Sequence, residues 1–277
     1  MPVTAKTGVM MIQSARAWAY IASHLRSHTL KELVVLGAQI AEALAIGAPR
    51  LTKHTEPTVS HGKTIDNEFV ILLGQASLFQ RSLSDFQYIN NDNLLPQTFL
   101  KVNDLFDNED DLKNALQFRE NRYSIFGNVA QRMSVTFSWM GISFGEIRDL
   151  NRHRTGTRFT SMVPLGFYDA VDELEGVNNI SCEVIRTASD DCKGDSKYAR
   201  SILLDNCSRY IYFTKLGTQY YFEHSTQVDK FIYEMELRTG VGSHYKYAEH
   251  CKEMLARWFE LYPGTKGMIF EGSAEPE

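Results

Sequence analysis

The chain has 277 residues, 29 basic and 34 acidic side chains, a net charge of −5, and is 43% hydrophobic and 23% charged. That mixture is globular and excludes a disordered, collagenous or coiled-coil chain. The acidic balance argues against non-specific coating of nucleic acid but leaves room for a local basic pocket. At about 150 residues per domain, the length leaves one domain or two open. The N-terminal stretch lacks the apolar core of a signal peptide, and no run approaches the ~18 apolar residues of a membrane span, so a soluble cytoplasmic protein without membrane association is expected. Cys182, Cys192, Cys207 and Cys251 form no C-x-x-C pair, which removes zinc-ribbon spacing and predicts reduced thiols.

Residues 12–47 carry apolar side chains at helical spacing, Ala15, Trp18, Ala19, Ala22 and Leu25, then Leu33, Leu36, Ile40, Leu44 and Ile46, and Gly47 with Pro49 ends the pattern. A polar loop is predicted over 50–66, followed by an apolar stretch and a helix over 67–90. Residues 91–111 read as a soft connection with an acidic run, which suits a solvated face or helix cap better than the regular ligand spacing of a metal loop; no metal site is expected. A helix is predicted over 111–118 and a strand over 134–143, SVTFSWMGIS. Helix-compatible charges follow in 145–154, a strand-like CEVIR lies within 178–187, and 197–222 is an aromatic stretch open to either assignment. Residues 226–261 are helical with a break at Gly240–Gly242 and a stop at Pro263. Together these predict an α+β fold, helix-rich with a small antiparallel sheet.

Two segments echo each other. SARAWAYIASHLRSHTLKEL (14–33) and TQVDKFIYEMELRTGVGSHYKYAEH (226–250) each run from an amphipathic helix through Leu-Arg to Ser-His and a second helix, with Pro49 and Pro263 beyond. Any two amphipathic helices look alike, but the shared punctuation favours a true repeat.

Several residues could carry chemistry. Arg152-His153-Arg154 offers two planar forks around an imidazole, which suits a phosphate or carboxylate; a basic helix end is the plainer reading of the triplet alone. Ser161, with Thr155, Thr157 and Thr160 nearby, supplies hydroxyls for a nucleophile or for hydrogen bonds. Arg200 and Arg238 lie on apolar segments, where each needs an ion-pair partner or a ligand. His244 follows Gly242 and could orient a ligand or be structural. Tyr210, Tyr212, Phe213, Tyr220, Tyr221 and Phe222 would suit a flat ring, a core or an oligomer interface. No G-x-G-x-x-G and no P-loop is present, which disfavours a Rossmann nicotinamide site or an NTPase.

The segments SVTFSW, IRDLNRHRTGTRFTS, YARSILL (198–204) and MELRTGVGSHYKYAEHCKEMLARWFELYP (235–263) together resemble the flavin-dependent thymidylate synthase family over about residues 120–265. The resemblance implies an FAD-dependent enzyme that moves a one-carbon unit from methylenetetrahydrofolate to C5 of dUMP, with NADPH as reductant, in a homo-oligomer. It implies FAD contacts from Arg152, His153, Arg154 and His244, contacts to the uracil nucleotide from Arg152, Asp149, Arg200 and Arg238, and catalytic roles for Arg152, Arg238 and Ser161. Phe159-Thr160 stands where the family shows Asn-Glu, and Asp149 where it shows Gln. These departures keep two alternatives open, a different pyrimidine nucleotide or product, and a non-catalytic nucleotide-binding homologue. The echo then reads as a helical remnant of a family copy over 1–60, ahead of a full copy over 61–277, and favours a dimer over the family's tetramer.

Overall fold

The β-branched and aromatic run Ser134–Ser143 forms strand β2, buried over almost its whole length, and the rest of the sheet is built on it. In the computed structural model, residues 11–28, 30–57, 97–103, 109–171, 182–205, 208–240 and 245–272 are described. β2 pairs antiparallel with β1 (Gln97–Asn103) on one side and with β5 (Thr218–Gln227) on the other. The outer edge of β5 is shared by β3 (Thr157–Thr160) and the short β4 (Gly166–Phe167), both antiparallel to it. The sheet order is therefore β1-β2-β5-β3, with β4 beside β3 on β5.

The helices are α1 (Ala15–Arg26), α2 (Lys31–Gly47), α3 (Glu109–Leu116), α4 (Asn128–Arg132), α5 (Phe144–Leu150), α6 (Cys182–Leu204), α7 (Val228–Thr239) and α8 (Tyr245–Leu261), the described part of a helix-rich α+β fold. None is long and apolar enough to cross a membrane. The chain divides into two compact units, Met1–Leu72 with Gly194–Lys215, and Leu73–Lys193 with Leu216–Glu277, the boundary falling inside α6.

In the second unit α7 and α8 cover one face of the sheet. Val135, Phe137 and Trp139 of β2 and Tyr220 and Phe222 of β5 meet Phe231, Met235, Met254 and Trp258 in one core. Phe137 and Phe231 have ring centroids 5.2 Å apart, and Phe231 and Trp258 5.4 Å, tilted contacts that add to area burial. A buried ion pair is set into this core. Arg119 donates to both oxygens of Glu236 on α7 at 2.9 and 2.6 Å, and both side chains are 0% exposed. The Phe270 amide also donates to Glu236, and the Arg119 guanidinium lies 3.9 Å over the Phe126 ring. This pair fixes the connection between α3 and α4.

α5 starts with a capping box. The Ser143 hydroxyl accepts the Glu146 amide, and the Glu146 carboxylate accepts the Ser143 amide at 3.0 Å and hydroxyl at 2.7 Å. The other Glu146 oxygen lies 2.7 Å from His250 Nδ1 on α8. Burial alone would raise the Glu146 pKa, but His250 and Ser143 outweigh it and hold the carboxyl below its usual range. α5 is thereby tied to α8, which places the residues that follow it.

In the first unit α1, capped by the Ser14 hydroxyl, packs against α2 so closely that a Cβ on Gly37 would lie 2.8 Å from Leu25 Cβ. The two hairpins share detail. α1 and α2 have 12 and 17 residues, as have α7 and α8. Ser27 and Thr239, each following the arginine, donate at 2.8 Å to the carbonyl four residues back. Each second helix is followed by a 3-10 turn begun by proline, Pro49–Thr55 and Pro263–Thr265. Buried Thr55 and Thr265 each donate at 2.7 Å to the carbonyl three residues back. Buried positions recur in phase, Ala19, Ala22 and Ser23 against Phe231, Glu234 and Met235, and Gly37 and Leu44 against Cys251 and Trp258.

The helical stretch 12–47 is two helices, α1 and α2, as the Leu-Arg and Ser-His punctuation of the echo implied. Two assignments change. CEVIR is helical: Cys182–Leu204 is one helix, with Ser189, Ser196, Ala199 and Leu203 buried, so a 3.6-residue period overrides the β-branched pair. β1 lies inside the stretch read as a soft connection; it is a strand at the end of the sheet order whose Leu100 and Val102 reach the core while Lys101 is exposed, a pattern usual at an edge. The acidic residues Glu109, Asp110 and Asp111 form the first turn of α3, where the helix dipole favours them. The predicted loop beyond 57 and the helix of 67–90 lie outside the described residues.

Candidate functional site

α5 ends at Leu150, and the next residues turn without regular structure to reach β3. That turn carries Arg152, His153 and Arg154, which line an open cleft of about 590 Å³ in the second unit. Arg122 and Lys230 add positive charge to its walls; Tyr123, Phe126 and Tyr233 supply aromatic surface. The Tyr123 and Tyr233 rings lie 6.2 Å apart. Among the described residues Asp229 is the one acidic side chain in the lining, and it lies 3.0 Å from Lys230 Nζ. Arg152 is 70% exposed and 3.5 Å from Asp149, a surface contact that contributes little to stability and leaves the guanidinium accessible to a ligand.

Arg238 reaches this turn from α7. Its Nε–H donates to His153 Nε2 at 2.8 Å, an Nη–H donates to the Asp149 carbonyl at 3.4 Å, and its guanidinium lies over the Tyr247 ring at 5.4 Å. Arginine only donates, so His153 Nε2 is the lone-pair nitrogen and the ring proton sits on Nδ1. His153 thus enters the cleft wall as a neutral imidazole. Burial pushes its pKa down from 6.5, Glu234 opposes that, and Arg238, His224 and Arg158 push it further down. Because the folded state binds this proton less readily than the unfolded chain, the stabilisation is complete above 6.5 and is lost as pH falls through the lowered folded-state pKa. Urea unfolding from pH 7.5 to 5.5 is expected to show falling stability, and His153→Gln, which keeps an acceptor for Arg238, is expected to flatten that slope. Equal slopes in the two proteins would contradict the assignment.

The turn is pressed against β5. His224 Nε2 donates to the Thr155 carbonyl at 2.7 Å, and the Thr226 hydroxyl donates to the Thr155 hydroxyl at 3.4 Å. Gly156 has φ +67°, and a Cβ there would lie 2.0 Å from the Ser225 carbonyl oxygen. Both conformation and space require glycine. Gly156→Ala is expected to cost at least about 2 kcal/mol, from left-handed strain plus the backbone clash, measured by urea unfolding. A cost near zero would mean the turn does not lie on β5.

A second cavity of about 330 Å³ is lined by α5, with Asp149 and Glu146, and by Tyr168, Asp169 and Tyr247. Desolvation pushes the Tyr247 hydroxyl well above its usual pKa, so it stays protonated.

Of the residues proposed from sequence, Arg152, His153, Arg154 and Arg238 therefore come together, while Asp149, in the last turn of α5, contacts Arg152 but lines the second cavity and not the cleft. Ser161 lines neither cavity; it is 1% exposed, its hydroxyl accepts the Val163 amide at 3.4 Å, and Met162 beside it has φ 54°. Arg200 belongs to the first unit, half-buried on α6. His244 lies outside the described residues. Tyr220, Tyr221 and Phe222 are 0% exposed core residues, the core alternative for that cluster; the aromatic surface of the cleft comes from Tyr123, Phe126 and Tyr233. Sequence reasoning passed over Arg122, Tyr123, Lys230 and Tyr233. The last two precede Arg238 on one helix, and the alternation of aromatic and basic residues in 118–126 was the available signal for the others.

No protein-family profile matches the chain, and no curated protein does. Among solved structures, the crystal structure of a UMP/dUMP methylase, PolB from Streptomyces cacaoi, bound with 5-Br UMP, aligns with a TM-score of 0.46 and 15% identity, over 65% of this chain and 98% of that one.

Proposed function

We propose that the chain binds FAD and a uracil nucleotide at the Arg152–Arg154 turn and modifies the pyrimidine at C5, as a divergent thymidylate synthase-like methyltransferase taking its one-carbon unit from methylenetetrahydrofolate. One observation carries this reading: Arg238, 85 positions from His153 in the chain, donates to it at 2.8 Å. Two separate parts of the motif that resembles the flavin-dependent family thus meet at the cleft, His153 in its wall and Arg238 bonded to His153 from α7. The reading rests on that geometry and not on the distant structural likeness.

The residues present fit a diphosphate-bearing aromatic cofactor. Arg152, Arg154, Arg122 and Lys230 offer donors to phosphate oxygens, Tyr123 and Tyr233 offer ring faces, and the cleft volume falls in the usual range for small-ligand sites. When bound and reduced, FAD supplies the hydride that brings the transferred carbon to a methyl group, with NADPH as the proposed reductant. The protein's own part is positioning and charge stabilisation: the arginines hold anionic oxygens, neutral His153 presents Nδ1–H as a donor, and Arg238 fixes the imidazole's orientation. Self-association into a dimer or tetramer belongs to the same proposal and is checked by light scattering. Its motive is the apolar surface beside the cleft, where Phe118, Tyr123 and Ile125 are 84%, 60% and 87% exposed.

Tritium release from dUMP labelled at C5, with methylenetetrahydrofolate, FAD and NADPH, tests the reaction. Release that depends on folate is expected. Release from another pyrimidine nucleotide but not dUMP would select a changed substrate, the alternative motivated by Asp149, whose carboxylate can only accept hydrogen bonds where the family has an amide. A protein that takes up no flavin and releases nothing overturns the enzymatic reading and leaves a non-catalytic homologue.

The N-terminal hairpin belongs to the proposal as a second copy of the α7–α8 hairpin with its arginine turned to structural use. Arg26 donates to the Thr55 carbonyl at 2.7 Å, within its own hairpin and turn. Arg26→Ala is expected to lower stability and leave FAD affinity unchanged; a folded variant with weakened FAD binding would contradict the structural role.

A further inference from the structure

The Asp149–Gly156 segment carries the cations of the cleft yet lacks regular structure of its own beyond Leu150, so its shape depends on what holds it from outside. A short tether from the sheet is the 2.7 Å bond from His224 Nε2 to the Thr155 carbonyl. A carbonyl accepts only, so Nε2 carries a proton. Nδ1 of the same ring lies 3.3 Å from Glu234 Oε2 on α7, and both side chains are almost wholly inaccessible, 0% and 1% exposed. Apart from this contact, neither Glu234 oxygen has a donor among the described residues.

This pair occupies a place where apolar side chains would pack. Alternation along β5 puts residue 224 on the face that presents Tyr220 and Phe222 to the core, and the His224 ring lies 5.1 Å from that of Phe137. Burying a carboxylate without hydrogen bonds is unfavourable, and apolar replacement of such a pair is commonly neutral or stabilising. The pair is therefore poorly explained by stability. What it does accomplish is a tether: through His224 it fixes the carbonyl next to Arg154. Glu234 sits one helical turn before Arg238, and His153 from the turn and Tyr247 and Cys251 from α8 all feel its charge. Its carboxylate thus acts on two histidines, His224 by contact and His153 by charge, behind the cleft wall.

We propose that His224 and Glu234 are positioning residues for the cleft: His224 holds the Thr155 carbonyl, and with it the Arg152–Arg154 turn, while Glu234 holds the His224 ring in the orientation that donates. Neither reaches a ligand. The proposal rests on the cleft being the ligand site, and its test has one readout that needs no ligand.

The double variant His224→Phe/Glu234→Leu removes the tether and both buried polar groups together, and His224→Gln keeps an amide donor in reach of the same carbonyl. Three quantities are measured: thermal stability, deuterium uptake of peptides spanning 152–156, and FAD affinity. The double variant is expected to be as stable as the wild type or more so, to exchange faster over 152–156, and to bind FAD about tenfold more weakly, the loss of one well-placed tether. His224→Gln is expected to recover most of the exchange protection and affinity. Unchanged exchange at 152–156 in the double variant overturns the proposal. A double variant that unfolds assigns the pair to the fold and overturns it too. If the wild type itself takes up no FAD, the functional reading fails while the exchange measurement still decides the tether.

Discussion

Arg119→Ala is expected to destabilise the protein by about 3–5 kcal/mol, because it leaves the Glu236 carboxylate buried without its partner. Both side chains are 0% exposed, and the pair is bidentate at 2.6 and 2.9 Å. The same change removes a guanidinium from the face of Phe126, which lines the cleft, so the loss spreads from the core to the cleft. Replacing both partners, as in Arg119→Met with Glu236→Leu, is expected to cost much less, since no charge is stranded. Urea unfolding of the single and double variants measures the difference. A single-variant cost below about 1 kcal/mol would place the pair among surface ion pairs and contradict its burial.

The second large effect is expected at Arg238. Arg238→Ala removes the hydrogen bond to His153, the one to the Asp149 carbonyl and the cation over Tyr247. FAD affinity is expected to fall by about 2 kcal/mol, roughly 30-fold, the low end for truncating one partner of a charged hydrogen bond, because this bond is only partly buried. Arg238→Lys is expected to restore little, because a single ammonium cannot present donors to both His153 and Asp149 in the fork's geometry. Isothermal titration with FAD reads the loss, and circular dichroism verifies that the variants are folded. Full affinity in Arg238→Ala would detach this residue from the site.

Local chemistry made part of this legible from sequence. β2 announces itself by β-branched and aromatic residues, and the two hairpins by helical spacing ended at Pro49 and Pro263. The triplet at 152–154 stood out as two planar forks around an imidazole, and Arg238 because a cation on an apolar segment needs a partner. β1 did not stand out, since an edge strand buries only Leu100 and Val102 against the core and keeps polar residues between them. Cys182–Thr187 misled because Val184 and Ile185 favour strands locally, while the period that decides the helix extends to Leu203. The cleft's far wall, Arg122 to Phe126, depends on the buried Arg119–Glu236 pair, a contact across 117 positions that no local pattern encodes. His224 was hidden in a stretch whose aromatics drew attention to stacking; on β5 its alternation with Tyr220 and Phe222 directs it inward, toward Glu234.

The central claim is that the Arg152–Arg154 turn binds a phosphate-bearing flavin. The most direct measurement is an FAD titration followed by flavin absorbance, in the wild type and in Arg152→Ala/Arg154→Ala. Saturable binding with a perturbed flavin spectrum is expected in the wild type, and loss of that binding in the folded double variant, whose two substitutions lie on exposed side chains. A wild type that leaves the flavin spectrum unchanged, or a double variant that binds FAD as tightly as the wild type, would contradict the claim.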